Sequence, residues 1–249
     1  MLIPPCQTAT NLNNSAIAHG FFGSEGGFST GLYQSLNCGL NKGDDDLKVM
    51  QNRQLICDTM GIQTMITIRQ VHKNNVLIVN SDTKSGQEYD AMVTQTPKLL
   101  LAIKTADCAP ILLHDPVHKV IGAIHAGWRS AVSGIVANTI KAMESIGANR
   151  NNITASIGPC IQQQNFEVGQ EVFDSAFDVT FFTKANRTAH YLYDLSGFLL
   201  NQLKKEDVKS ITTTDLDTYS LEKKYFSCRR ALHKKESAFG NQLSVIGLV

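Results

Sequence analysis

The chain has 249 residues, a length that predicts one large domain, taken here as a single unit over 1–249. Hydrophobic residues make up 43% and charged residues 18%, which excludes a disordered chain and leaves enough apolar surface for a core without disulfides or a structural metal. A net charge of +1 excludes a broad footprint for nucleic acid or membrane, so any anionic partner must be met locally.

The first stretch, MLIPPCQTATNLNN, has no basic region followed by an apolar run, so no signal peptide is expected. No window approaches the roughly 18 apolar residues of a membrane span. The six cysteines are scattered without a CxxC pair, which predicts reduced thiols in a cytoplasmic protein.

A glycine-rich stretch, HGFFGSEGGFSTGLYQSLNCGLNKGDDD, reads as an ordered loop and, without a lysine-serine/threonine ending, is no P-loop. A helix follows, capped by Asp44 or Asp45, with Leu47, Met50 and Ile56 as its apolar face and Gly61 as its stop. Two strands flank Gln70–Asn75, and AMVTQ and LLLAIKTADC add more. Another lies in IGANRNNITASIGPC, and ITTTDLDTYS and QLSVIGL close the chain. Helices fit 131–146, about 167–178 and about 196–206. Strands and helices mix without a βαβ rhythm, which predicts an α+β fold.

The densest segment is KTADCAPILLHDPVHKVIGAIHAGWRSAVSGIVANTIKAMESIG. PILLH and VIGAIH are apolar runs separated by a turn at Asp115-Pro116-Val117-His118. A hairpin centred between Pro116 and Val117 sets Cys108 opposite His125, with Cβ atoms about 5 Å apart. That pairing suits a shared metal or a Cys–His catalytic role, although either residue alone could equally be a structural one. After His125, a helix start and Arg129 make a pocket for phosphate or another anion; the alternative for Arg129 is an exposed salt bridge. Spacing alone identifies no third ligand.

Several blocks in the right order resemble the YfiH family of laccase-domain proteins: HGFF with GGFSTGLYQSLNCG, GDD and NR, then QVH, DAMVT, TADCAPILL and AIHAGWR, and finally IGPCI, FEVG and FSCRR. The resemblance implies layered mixed β-sheets with flanking helices, similar to a bacterial deamidase toxin. It also implies that His72, Cys108 and His125 bind one zinc ion. The activity it implies is phosphorolysis of adenosine, inosine, guanosine and methylthioadenosine, with deamination of adenosine, so the expected partners are purine nucleosides and inorganic phosphate. Lys73 and Ser130 stand where relatives carry glycine, and Asp217 where they often carry cysteine.

Two imidazoles and a thiolate leave a zinc position open for catalysis. Asp107 and Glu167 are candidate proton-transfer groups, Asp107 pointing to the opposite face of a strand from Cys108, and Arg53 is a second phosphate candidate after Arg129. The rival readings are four. They are copper-dependent polyphenol oxidation, with copper replacing zinc; a cysteine hydrolase using Cys108 and His125; editing of peptidoglycan precursors; and nucleoside binding without turnover. A full laccase needs paired histidines, and this chain has seven histidines with no His-x-His pair.

Overall fold

The computed structural model describes residues 3–176 and 178–249. In chain order, β1 (Cys6–Gln7) and β2 (Ile17–Phe22) precede the glycine-rich loop, and α1 (Asp46–Met60) follows it. Next come β3 (Thr64–Thr67), β4 (Val76–Ile78), β5 (Ala91–Thr94), β6 (Leu99–Thr105), β7 (Ala109–Asp115) and β8 (Val120–Ala126). Two helices, α2 (Trp128–Val132) and α3 (Ile135–Ser145), lead to β9 (Thr154–Ile157), β10 (Glu167–Gly169) and α4 (Gln170–Ser175). The chain closes with β11 (Phe182–Lys184), β12 (His190–Tyr193), α5 (Leu195–Lys205), β13 (Ser210–Thr213), α6 (Cys228–Lys234) and β14 (Gln242–Leu248).

The strands form three sheets, ordered β1-β2-β14-β6-β3, β13-β9-β7-β8-β5-β4 and β10-β12-β11. The two large sheets lie face to face, because successive side chains on a strand point to opposite faces. Leu112 of β7 and Ile121 and Ala123 of β8 join Leu101 and Ile103 of β6 and Ile246 of β14 in one buried cluster between the sheets. The alternate residues Ile111, Leu113 and Ile124 face outward onto Ile135, Val136, Ile140 and Met143 of α3 and Phe198 and Leu199 of α5. On the far side, Leu100, Ala102, Leu243 and Val245 cover Leu55, Ile56 and Cys57 of α1. The result is the expected α+β layering: helix, two mixed sheets, helices. No helix among the described residues is long and apolar enough to cross a membrane.

Local chemistry explains most element ends. The Asp45 carboxylate accepts the Leu47 amide at the start of α1, and Gly61 ends it in the left-handed region at φ 70°. Asp44 instead accepts from the Ser29 hydroxyl and the Asn37 amide. The apolar face expected for α1 is partly corrected: Leu47 and Met50 are exposed, and Val49, Asn52 and Leu55 turn inward with Ile56. The amide of Asn52 fastens the glycine-rich loop, bonding Phe28 N, Ser29 Oγ and the carbonyls of Ser35 and Asn37.

The helix expected over 131–146 is two helices, broken at Gly134, whose φ of 87° no helix interior adopts. The one expected over 167–178 is also shorter: Glu167 lies on β10, the helix spans Gln170–Ser175, and residue 177 lies outside the described residues.

A second correction concerns the hairpin register. Ala109 pairs with Ala126 and Pro110 with His125, so Cys108 lies beyond the strand end, level with Gly127. The shift is two residues. Asp115 explains it: it pairs with Val120 as the last residue of β7, and its carboxylate accepts the amides of Val117 and His118, so the turn spans 116–119 and not 115–118. A two-residue shift preserves side-chain parity, so Cys108 still falls on the face of His125.

Candidate metal centre

Both connections that cross from the five-stranded to the six-stranded sheet, β3 to β4 and β6 to β7, arrive at the end where β8 finishes. The first crossing carries His72, the second Cys108, and β8 itself carries His125. One ligand atom from each lies within 4.8 Å of the others. The Cys108 Sγ to His72 Nε2 distance is 3.9 Å, and the two imidazole centroids are 4.7 Å apart. Zinc bonds of about 2.3 Å to sulfur and 2.0–2.1 Å to nitrogen would draw Cys108 Sγ and His72 Nε2 a few tenths of an ångström closer. The donor set and spacing therefore fit one tetrahedral ion with a free position.

Gly127 permits this proximity. A Cβ there would stand 2.9 Å from His72 Cδ2 and 3.1 Å from Cys108 Sγ.

One residue that sequence reasoning missed organises both histidines. Asp90, fully buried before β5, receives a 2.8 Å hydrogen bond from His125 Nδ1, which turns Nε2 toward the other ligands. Its carboxylate also accepts the amides of Val71, His72 and Lys73, and its carbonyl accepts the His125 amide. His72 sits in the left-handed region at φ 58°, a conformation that costs a non-glycine residue about 1 kcal/mol or more. The three amide bonds hold it there. Burial opposes the charge on Asp90, but the bonds from His125 and the loop amides outweigh it and keep the carboxyl below its ordinary range. DAMVT carried the signal: an aspartate ahead of a fully apolar strand must be buried and needs donors.

Asp107 also has a positive φ, 91°, and swings Cys108 into the site. Its carboxylate accepts the Thr218 hydroxyl at 2.7 Å and the Arg229 amide at 2.6 Å. Burial outweighs these bonds and pushes its pKa up. Its oxygens are thus occupied in joining the Cys108 loop to the start of α6, a helix the sequence reading did not find. Among protein groups alone, burial, then the charge of Asp107, pushes the Cys108 thiol up to about 12. Burial, then the neighbouring His125, lowers His72, so its ring is neutral and able to ligate near pH 7.

Two cavities meet at the cluster, sharing His72, Ala106, Cys108 and Cys228 as a common wall. The first, about 190 Å³, is bounded by Asp107, Trp128, Ile161, Phe166, Leu195 and Leu232, together with Arg129 and Arg229. Arg129 is exposed and lies 4.2 Å from the Trp128 ring centroid; Arg229 lies 5.6 Å from that of Phe166. Asp217 fixes this wall by accepting the amides of Gln162 and Tyr219 and the side chains of Asn165 and Ser220. The second cavity, about 230 Å³, is more polar than the first.

The other expected site residues lie elsewhere. Glu167 is on the edge strand β10, 3.9 Å from Arg187, and borders neither cavity. Arg53 donates from Nε and Nη2 to the Cys38 carbonyl, behind the second cavity. Ser130 is buried, with its hydroxyl on the carbonyls of His125 and Gly127, while Lys73 is exposed.

Residues 18–249 match the profile of the multi-copper polyphenol oxidoreductase laccase family. Over 211 residues the chain is 33% identical to a purine nucleoside phosphorylase of Rickettsia conorii, covering 83% of this chain and 87% of that one. It is 31% identical to purine nucleoside phosphorylase YfiH of Escherichia coli over 228 residues, 90% of each. The crystal structure of the YfiH protein of Bacillus licheniformis superposes with a TM-score of 0.87 at 26% identity, covering 94% of this chain and 93% of that one.

Proposed function

The chain belongs to the multi-copper polyphenol oxidoreductase laccase family, the YfiH-like proteins, and from that premise we propose that it is a zinc-dependent purine nucleoside phosphorylase. The observation that carries this reading is the His72–Cys108–His125 cluster at the seam of an apolar, aromatic-walled cavity and a more polar one that holds two lysines. The relatives named purine nucleoside phosphorylase support the reaction class. His72, Cys108 and His125 would hold the ion, with Asp90 orienting His125. When bound, zinc supplies a Lewis acid that bears part of the charge developing on a reacting group.

The residues of the chain supply binding and orientation. Trp128 and Phe166 offer faces for a purine ring, and Ile161, Leu195 and Leu232 exclude water from it. Arg129 is the cation proposed to meet phosphate or a ribose hydroxyl from the apolar side. Adenosine, inosine, guanosine and methylthioadenosine share the purine and ribose that such a cavity would recognise, and deamination of adenosine is a second outcome at the same site.

One rival fits less well, and another is separated by metal content. Multi-copper oxidation needs several ligand clusters, and among the described residues only one group of three or more metal-capable side chains occurs. A Cys108–His125 hydrolase would use the same pair without metal, with Asp90 on His125 Nδ1 as the orienting group, so metal content decides between the two readings.

The test is product analysis of metal-quantified protein with adenosine and inosine, with and without phosphate. Phosphate-dependent release of free base, lost in Cys108→Ala and His125→Ala together with the zinc, is the expected result. Zinc-loaded protein that releases no base in phosphate would overturn the reading.

A further inference from the structure

The second cavity is bounded by Lys42, Gln70, Lys104, Thr105, Phe239 and Asn241 in addition to the shared wall and His125. No carboxylate lines it, and neither lysine belongs to an ion pair among the described residues. Arg53 stands close enough behind it that its charge, with that of Lys42, adds to burial in lowering the Lys104 pKa. Two residues of its lining carry a buried polar atom without a hydrogen-bond partner: Thr105 Oγ1, on a residue 2% exposed, and Asn241 Oδ1, which lies beside Gly39. An unpaired buried polar atom is costly; of the two lysines, Lys104 is half-buried and Lys42 exposed. A small anion rich in acceptor oxygens would give the two lysines and the Thr105 hydroxyl their missing acceptors.

The placement of these groups is built into the fold. The Tyr33 hydroxyl donates to the Lys42 carbonyl at 2.6 Å, and Gly43, at φ 94°, turns the chain beside it. Gln70 is bonded by its amide to both the N–H and the carbonyl of Lys104, tying the cavity floor to β6.

We propose that the Lys42–Lys104 cavity seats the phosphate co-substrate, across the cluster from the purine in the Trp128–Phe166 cavity. This rests on the phosphorolysis reading and specifies it. Displacement at the anomeric carbon favours a nucleophile and a leaving group on opposite sides of the sugar, and cavities meeting at a shared wall provide that arrangement. A phosphate oxygen forms the bond to the anomeric carbon as the bond to the glycosidic nitrogen breaks. The purine leaves with that electron pair and takes up the proton that hydrogen phosphate gives up, so ribose 1-phosphate and free base balance the reactants.

The test uses the zinc-loaded full chain with Lys42→Met, Lys104→Met, the double variant and Arg129→Met. Phosphate and nucleoside KM values are measured, and inorganic phosphate is titrated calorimetrically without nucleoside. The expected result is a rise in phosphate KM of about tenfold per lysine, consistent with losing one charge-assisted bond, with nucleoside KM within about twofold. Lys104→Arg, which keeps the charge, should restore most phosphate binding and controls for misfolding. Unchanged phosphate KM and calorimetric affinity in the double variant, with both lost in Arg129→Met, would overturn the assignment. If the protein releases no base but phosphate binding still depends on the lysines, the anion site stands and the phosphorolysis reading fails. If the parent chain neither binds phosphate nor releases base, both fail.

Discussion

Asp90 and Asp107 are both buried carboxylates, each anchoring a loop that delivers one metal-capable side chain, yet their pKa values move in opposite directions. Asp90 collects three consecutive amides and an imidazole N–H, enough donors to overcome burial. Asp107 collects fewer, and burial prevails. The first touches two of the three cluster residues, by ring or by backbone. The second works at one remove, fastening the Cys108 loop to α6. Burial alone does not set the state of a carboxylate; the number and direction of its donors do.

The difference predicts a graded response. Asp90→Ala should have the largest effect, because it frees the His125 tautomer and orphans the amides that hold His72. Zinc affinity should fall about 10–100-fold and stability by about 3 kcal/mol, read by competition with a chromogenic chelator and by urea denaturation. If zinc affinity stays within twofold, Asp90 does not orient the ligands.

Removing the metal comes next. At 100 times its dissociation constant, a bound ion stabilises the fold by about 2.7 kcal/mol. Exhaustive chelation should therefore lower Tm while leaving far-UV circular dichroism unchanged, since the sheets bury their core without the cluster. Loss of secondary structure on chelation at 25 °C would contradict that separation of core and site.

Asp107→Asn sharpens the comparison. Its amide keeps one acceptor for Thr218 and loses one for the Arg229 amide, so stability should fall by about 1–2 kcal/mol with zinc affinity within about threefold. A loss of zinc affinity as large as that of Asp90→Ala would erase the distinction between the two anchors.

Gly127→Ala should have the smallest effect on stability, under about 1 kcal/mol, because its φ of −76° and ψ of 168° suit alanine. The new methyl group would press on His72 and Cys108 and weaken zinc by about tenfold, the scale of a lost outer-shell contact. Full zinc affinity in this variant would mean the ligands move apart freely.

Much of the fold was legible because its signals are local. The caps of α1, Asp45 and Gly61, act within a few residues of chain, and β5 to β9 announce themselves as apolar runs bounded by turns. The exposed Leu47 and Met50 show the limit: which face of a helix turns inward depends on a partner not written in the helix. Strand β10 was read as helix because three residues carry too little periodicity. At the site, parity put Cys108 and His125 on one face even though the register was shifted by two residues from that expected. His72 came through family resemblance, since spacing has nothing to say about a residue 36 positions from Cys108. Asp90, Arg229 and the Lys42–Lys104 pair went unread because each gains its role from segments far away in the chain.

The amino-acid order by itself determined the α+β class, the caps and the alternation that lets two sheets bury one another, because these follow from backbone periodicity and neighbouring side chains. Only the tertiary structure decided that two crossings and one strand end converge. Only there, too, did a single buried aspartate come to hold two histidines, and the cluster come to divide an apolar cavity from a cationic one. Convergence of that kind depends on how sheets stack, twist and exclude water over the whole chain, and no local window carries that information.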